Sequence, residues 1–278
     1  KVADGPVSDF DWRTLAYHMT GREIRETSYE GPDELPATSL LKVEGLTKKG
    51  KFSDISFQLF AGEIVGITGL LDSGRTELAT ALFGLEPADS GSVYIDGQPV
   101  KIKNTHDATS RGIGYVPEDR LTQGLFLPQS ISKNIIASKV HDLVGRFKLL
   151  DSNKVESEVN SWVRDLSIVT PSPLLPAQSL SGGNQQRVVL AKWLATMPKI
   201  LILNGPTVGV DVGSKADIHS IIRKLAQEGM GVLIMSDDIP EILQNCNRIL
   251  LMRRGRIVEE FLGSSISETE LAQRLTGV

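Results

Sequence analysis

Residues 69–76 read Gly69-Leu70-Leu71-Asp72-Ser73-Gly74-Arg75-Thr76, two glycines five apart, then a basic residue, then threonine, with Glu77 following. In a loop of this frame, backbone N–H groups and the N-terminus of the next helix hold phosphate oxygens, and the hydroxyl of Thr76 is placed for Mg²⁺. A second candidate lies at Leu180-Ser181-Gly182-Gly183-Asn184-Gln185-Gln186-Arg187, where a helix-like run follows two glycines. Ser181 reads as an N-cap, and the glycines let the first-turn N–H groups approach an anion closely. Alone, S-G-G is an ordinary loop before a helix. A third candidate is the strand end Ile200–Leu203, which runs into Asn204-Gly205-Pro206-Thr207.

The elements needed to position these residues are present. Glu63–Thr68 reads as a buried-type strand running straight into the glycine loop, and Glu77–Phe83 as a helix closed by Gly84. Strand, glycine loop and helix are the context a phosphate-binding loop requires. Leu40–Glu44 and Ile55–Leu59 alternate as half-exposed antiparallel strands do, and Ser92–Gly97 reads as another strand and turn. Residues 105–175 read as helical and irregular, best at Ile131–Ser138 and Lys154–Leu166. Lys199–Leu203, a helix over Ser214–Glu228 and Val232–Ser236 form a strand–helix–strand unit of a parallel core. A hairpin at Ile249–Met252 and Arg256–Val258 closes the domain.

The chain has 278 residues, 40% apolar, 23% charged and 5% aromatic, enough for a full core with ordinary globular composition. A formal charge of −4 with no basic block argues against nucleic-acid binding. The single Cys246 excludes an internal disulfide and fits a reducing compartment. Neither a membrane span nor a signal peptide is expected. Thr14–Gly21 and Glu270–Gly277 match at Leu, Ala, Thr and Gly in register. With a start at Lys1, this reads as residues 1–21 being the tail of a preceding homologous domain and 22–38 a linker. Two unrelated short helices with glycine caps are the plainer alternative.

Together the three motifs resemble the nucleotide-binding domain of ABC-type ATPases, with Leu180–Gln185 as its signature motif. The spelling of Ser73–Leu78, Val116-Pro117-Glu118-Asp119-Arg120, Leu180–Gln186 and Gly209–Gly213 is similar to the second half of tandem sugar-import ATPases of the ribose, galactose, arabinose and xylose type. The resemblance covers about residues 39–278. It implies an α/β fold: a P-loop core with an antiparallel β subdomain and a helical signature subdomain near 120–190, the whole domain spanning 39–262 with a tail helix at 263–278. It implies ATP and Mg²⁺ as cofactors. Its partners would be a first ATP-binding half on the same polypeptide, transmembrane permease subunits and, indirectly, a periplasmic or extracellular sugar-binding protein, at the inner face of the cell membrane. Glu118 stands where a glutamine loop would be, and Asp211 in the loop that crosses to the partner domain.

The departures from the family pattern matter as much. Asn204 and Gly205 occupy the positions of a magnesium-holding Asp and a catalytic Glu, and Asp237 that of the switch histidine. Gly205 has no side chain to act as a base. Arg75 replaces lysine, as is usual in this branch. Asp72 either repels a phosphate, by roughly 4 kcal/mol for unit charges 4 Å apart, or points to solvent. The expectation is therefore an intact signature that completes the partner's site beside a degenerate site of the chain's own. The rivals are a non-hydrolysing regulatory half and a soluble ABC protein unrelated to transport, which would usually show basic patches. The four histidines lack metal-like spacing, Phe52 is a weak candidate for stacking on a base, and Gly124–Pro128 reads as core in preference to part of a patch that receives a permease helix.

Overall fold

The computed structural model describes residues 36–144 and 149–276 and, before these, positions 4, 6, 14, 17, 18, 29, 31, 32 and 34. Most of the expected domain tail and linker lies outside the described residues, including Leu15 and Ala16 of the repeat. The chain runs β1 (Leu41–Lys48), β2 (Phe52–Leu59), β3 (Ile64–Thr68), α1 (Arg75–Leu82), β4 (Ser90–Ile95), β5 (Gln98–Val100), α2 (Thr105–Ser110) and β6 (Ile113–Val116). A π-helical turn at Arg120–Gly124 leads to α3 (Ile131–Ile136), α4 (Ser152–Asp165) and α5 (Gly182–Leu194). Then come β7 (Ile200–Asn204), α6 (Val212–Gln227), β8 (Gly231–Met235), α7 (Ile239–Asn245), β9 (Arg248–Arg253), β10 (Arg256–Leu262) and α8 (Glu268–Thr276).

Two sheets result. The antiparallel one has the order β2-β1-β4-β5, and the larger one β10-β9-β3-β8-β7-β6. In the latter β9, β3, β8, β7 and β6 are parallel, and β10 returns antiparallel on β9. Every residue of β3, β7 and β8 is buried, as in strands covered on both faces. Parallel strands end on one edge, where open α/β sheets bind ligands. Here that edge gathers the segments after β3 (Gly69–Gly74), β6 (Pro117–Glu118), β7 (Asn204–Gly205) and β8 (Ser236–Asp237).

Two expectations are corrected, while Phe52 agrees with its weak standing as a stacking candidate. Ile113–Val116 is a strand of the core sheet, its short I-G-Y-V run held by pairing with β7. Leu125 is buried, but Phe126 is 61% exposed, so the Gly124–Pro128 stretch is only partly core. Phe52 is 3% exposed inside the core and has no free face for a base. Trp193 packs edge-on against Phe83, with ring centroids 5.1 Å apart.

One core contact should set a pH dependence. The Lys192 ammonium on α5 is buried and donates to the Gly124 carbonyl at 2.5 Å. Desolvation lowers its pKa from 10.5 to about 8. Between those values the unfolded chain binds the extra proton, so folding stability rises with pH across that window. The whole effect is roughly 3 kcal/mol. Unfolding of Lys192→Met followed from pH 7.5 to 10 should give a flatter stability profile than the parent, and parallel profiles would refute the assignment.

Candidate functional site

The glycine loop is set by the centre of the sheet. β3 has buried neighbours on both sides, β8 and β9, and delivers Gly69 to the edge. Gly74 is the N-cap of α1 and makes no side-chain cap bond, which leaves first-turn N–H groups for an anion. Among the described residues the Ser73 hydroxyl, buried within the loop, has no hydrogen-bond partner, an orphaned polar atom that fits a phosphate or water contact. Asp72 is exposed at φ 63°, and Leu70 and Leu71 are exposed beside it.

Arg75 lies back across this loop. Its Nη1 donates to the Gly69 carbonyl and, at 3.4 Å, to that of Leu70. Its Nη2 is 3.3 Å from Asp237 Oδ2, and the Arg75 side chain is only 8% exposed against 56% for Asp237. The one cation of the loop is thus already matched by a carboxylate. Asp237 is held close by its neighbours: the Ser236 hydroxyl accepts from the Asp238 N–H at 3.1 Å, and Asp238 caps α7 through the Glu241 N–H.

Beside the loop is a cavity of about 680 Å³ lined by Thr76, Glu77, Tyr115, Glu118, Arg120 and Asn204, among others. The Thr76 hydroxyl is 3.5 Å from the Asn204 amide. Hydroxyl, amide and the Glu118 carboxylate are oxygen donors of the kind Mg²⁺ takes alongside substrate phosphates, and one carboxylate suffices for that mode. At Gly205, φ is +57°, and a Cβ there would stand 2.9 Å from Val208 Cγ2 and 3.1 Å from Glu118 Cγ. The space beside the strand end therefore belongs to Glu118.

The second motif starts α5. Ser181 is its N-cap, as expected, but its hydroxyl does not cap the helix. It accepts instead from Asn184 Nδ2 at 3.0 Å, while Asn184 Oδ1 takes the Val169 N–H at 2.8 Å. The side chain of the residue three positions on competes for the hydroxyl, so the helix N-terminus stays open. Leu180 packs on the core and Gln185 is buried. A Cβ on Gly183 would lie 2.1 Å from Ser214 Oγ, so glycine is required for helices α5 and α6 to approach. Asp211 caps α6, accepting from the Ser214 N–H and hydroxyl at 3.0 and 2.8 Å, and these bonds hold its carboxyl below the usual range. Arg120, quoted in the sequence only as part of a run, also reaches this cluster; nothing in its spacing signals that role.

The motifs thus fall into two groups: Gly69–Glu77, Glu118, Asn204, Gly205 and Asp237 at the sheet edge, and Leu180–Gln185 with Asp211 at the adjoining helix starts. The family described as ABC transporter matches residues 52–208, more than half of the chain. The chain belongs to the ABC transporter family. The cassette is 40% identical over 277 residues to a ribose import ATP-binding protein of Rubrobacter xylanophilus, covering 100% of this chain and 55% of that protein. It is 38% identical over 271 residues to a ribose import ATP-binding protein of Geobacillus kaustophilus, covering 98% and 54%. It is 37% identical over 275 residues to a putative ribose/galactose/methyl galactoside import ATP-binding protein of Burkholderia cenocepacia, covering 99% and 54%. The cassette spans about half the length of these curated relatives. A nucleotide-free ATP-binding cassette from an ABC transporter superposes with a TM-score of 0.72 at 22% identity, over 84% of this chain and 95% of that one, which shows the shared fold. Among the described residues no helix is long and apolar enough to cross a membrane.

Proposed function

We propose that this cassette is the second ATP-binding half of a tandem ATPase that energises carbohydrate uptake. Residues 39–262 form its nucleotide-binding domain, 1–21 the tail of a preceding homologous half, 22–38 a linker and 263–278 a C-terminal tail helix. The partners are the first half of the same polypeptide and membrane permease subunits that receive sugar from a binding protein, with the ATPase peripheral on the inner membrane face. The similarity to ribose and galactose import proteins along the whole chain supports the sugar class.

Within this reading, Ser181, Gly182 and Gly183 complete the hydrolytic site of the first half, with the open N-terminus of α5 directed at the terminal phosphate. The cassette's own cavity takes nucleotide weakly, through the loop N–H groups, Ser73, Arg75 and Thr76, and hydrolyses it little or not at all. Mg²⁺ held near Thr76, Asn204 and Glu118 would neutralise phosphate charge there. The observation that carries the asymmetry is the Arg75–Asp237 pair, which commits the loop's cation to a carboxylate while Asn204 and Gly205 offer none for a base.

The test is ATP turnover by the cassette alone, the first half alone and the two mixed. The expected result is none from the cassette alone and more from the mixture than from the first half. A mixture no faster than the first half would favour a purely regulatory role. Steady turnover by the cassette alone would refute the degenerate site.

A further inference from the structure

Two loops that carry different motifs are tied together by one side chain. Arg120 Nη1 donates to the Val208 carbonyl at 2.7 Å and Nη2 to the Gly209 carbonyl at 2.8 Å, while Nε reaches Gln185 Oε1 at 3.5 Å. Two successive carbonyls can converge on one guanidinium because Gly209 is left-handed, at φ +66°. The segment bearing Arg120 is itself fixed. Asp119 Oδ1 accepts from the N–H groups of Leu121 and Thr122 at 3.0 and 3.2 Å, and its Oδ2 from the Thr122 hydroxyl at 2.6 Å. On the far side the fit is close: a Cβ on Gly182 would lie 2.8 Å from Arg120 Nη2 and 3.2 Å from the Gly209 carbonyl oxygen.

We infer that Arg120 is a positioning residue that holds the signature loop, Ser181–Gly183, and the Val208–Asp211 loop in a single register. Arg120 and Gly209 also line the cassette's own cavity, so the same side chain joins that wall to both loops. A planar fork with parallel N–H groups is what two neighbouring carbonyls and a glutamine oxygen require; a lysine ammonium offers no such plane. Only the assignment of these loops to the partner's site rests on the function proposed above.

Hydrogen exchange on the full chain tests the clamp directly. In Arg120→Gln, peptides covering 181–185 and 208–212 should exchange about tenfold faster, with β3, β7 and β8 still protected. Arg120→Lys should fall between the two. Unchanged exchange in either loop overturns the inference, and so does an equal rise throughout the core strands, which would make Arg120 a general stabiliser. In the assembled ATPase, Arg120→Gln should lower kcat about tenfold at unchanged KM for ATP, because the loops are misplaced rather than lost. Ser181→Arg serves as the reference. If it leaves turnover intact, the assignment of the loops to the partner's site fails while the exchange result stands. If it abolishes turnover and Arg120→Gln changes neither kcat nor exchange, the clamp fails and the assignment stands.

Discussion

Replacing Ser181 with arginine should abolish the turnover that the cassette lends to its partner half, by at least about 10²-fold, the scale on which anion-stabilising donors act. The residue begins α5 with its hydroxyl engaged by Asn184 rather than by the helix, so the substitution removes no cap bond. What it adds is a long cation over the open helix N-terminus, opposed by the helix dipole and standing where the partner's phosphate would enter. Folding should be almost unaffected, because Ser181 is exposed. Nucleotide binding in the cassette's own cavity should be unchanged, since that cavity is lined from α1, the ends of β6 and β7 and the turns at Asp119–Gln123 and Val208–Gly209, and not by Ser181. Turnover by the mixed halves, with own-site binding measured in parallel, separates the two sites. Equal loss in both would mean that the two sites are not independent.

The second large effect runs the other way. Asp237→Ser should tighten nucleotide binding at the cassette's own loop. A phosphate arriving at Arg75 must displace a carboxylate 3.3 Å from Nη2 and then remain beside its charge. Two like charges at about 4 Å repel by roughly 4 kcal/mol at an effective dielectric near 20. Asp237 is more than half exposed, so solvent screens much of this, and a gain of about tenfold in affinity is the realistic scale. Serine keeps the local backbone, whose bonds run through Ser236 and Asp238 instead. Titration with ATP and Mg²⁺ would show it. Affinity unchanged or weakened by the substitution would mean that Asp237 does not compete with phosphate. On the proposed reading the substitution brings no turnover at this site, because neither Asn204 nor Gly205 becomes a base.

Much of this was legible before any coordinates. The frame Gly69–Thr76 between a buried strand and a helix follows from local pattern alone, and so do the strand–helix–strand order after α5 and the closing hairpin. What escaped is what pairing at a distance decides. Ile113–Val116 carries a glycine and only three strand-forming residues, too little to stand out, yet its register against β7 makes it an edge of the core. The sequence marks Ser181 as a cap, but the choice between helix N–H and Asn184 amide depends on where Val169 holds Asn184. The two readings of Asp72, repelling or turned out, could not be separated by spacing; its exposed, left-handed position puts it at the surface. Arg120 stands in the sequence only as the end of the Val116–Arg120 run, with nothing to mark its positioning role, because its partners are backbone carbonyls nearly ninety residues further along.

Gly205 bears on how this cassette can change over evolutionary time. A glutamate placed there would need a left-handed backbone that costs a side chain on the order of 1–2 kcal/mol. Its Cβ would also press on Val208 and on Glu118. A single substitution by glutamate is thus disfavoured by the surrounding structure, and accommodating it would need Gly205, Glu118 and the 205–208 turn to adjust together. If the cassette is one half of an unequal pair, as proposed, this backbone acts as a ratchet: it favours keeping a dissimilar companion over drifting back to two equal, interchangeable copies.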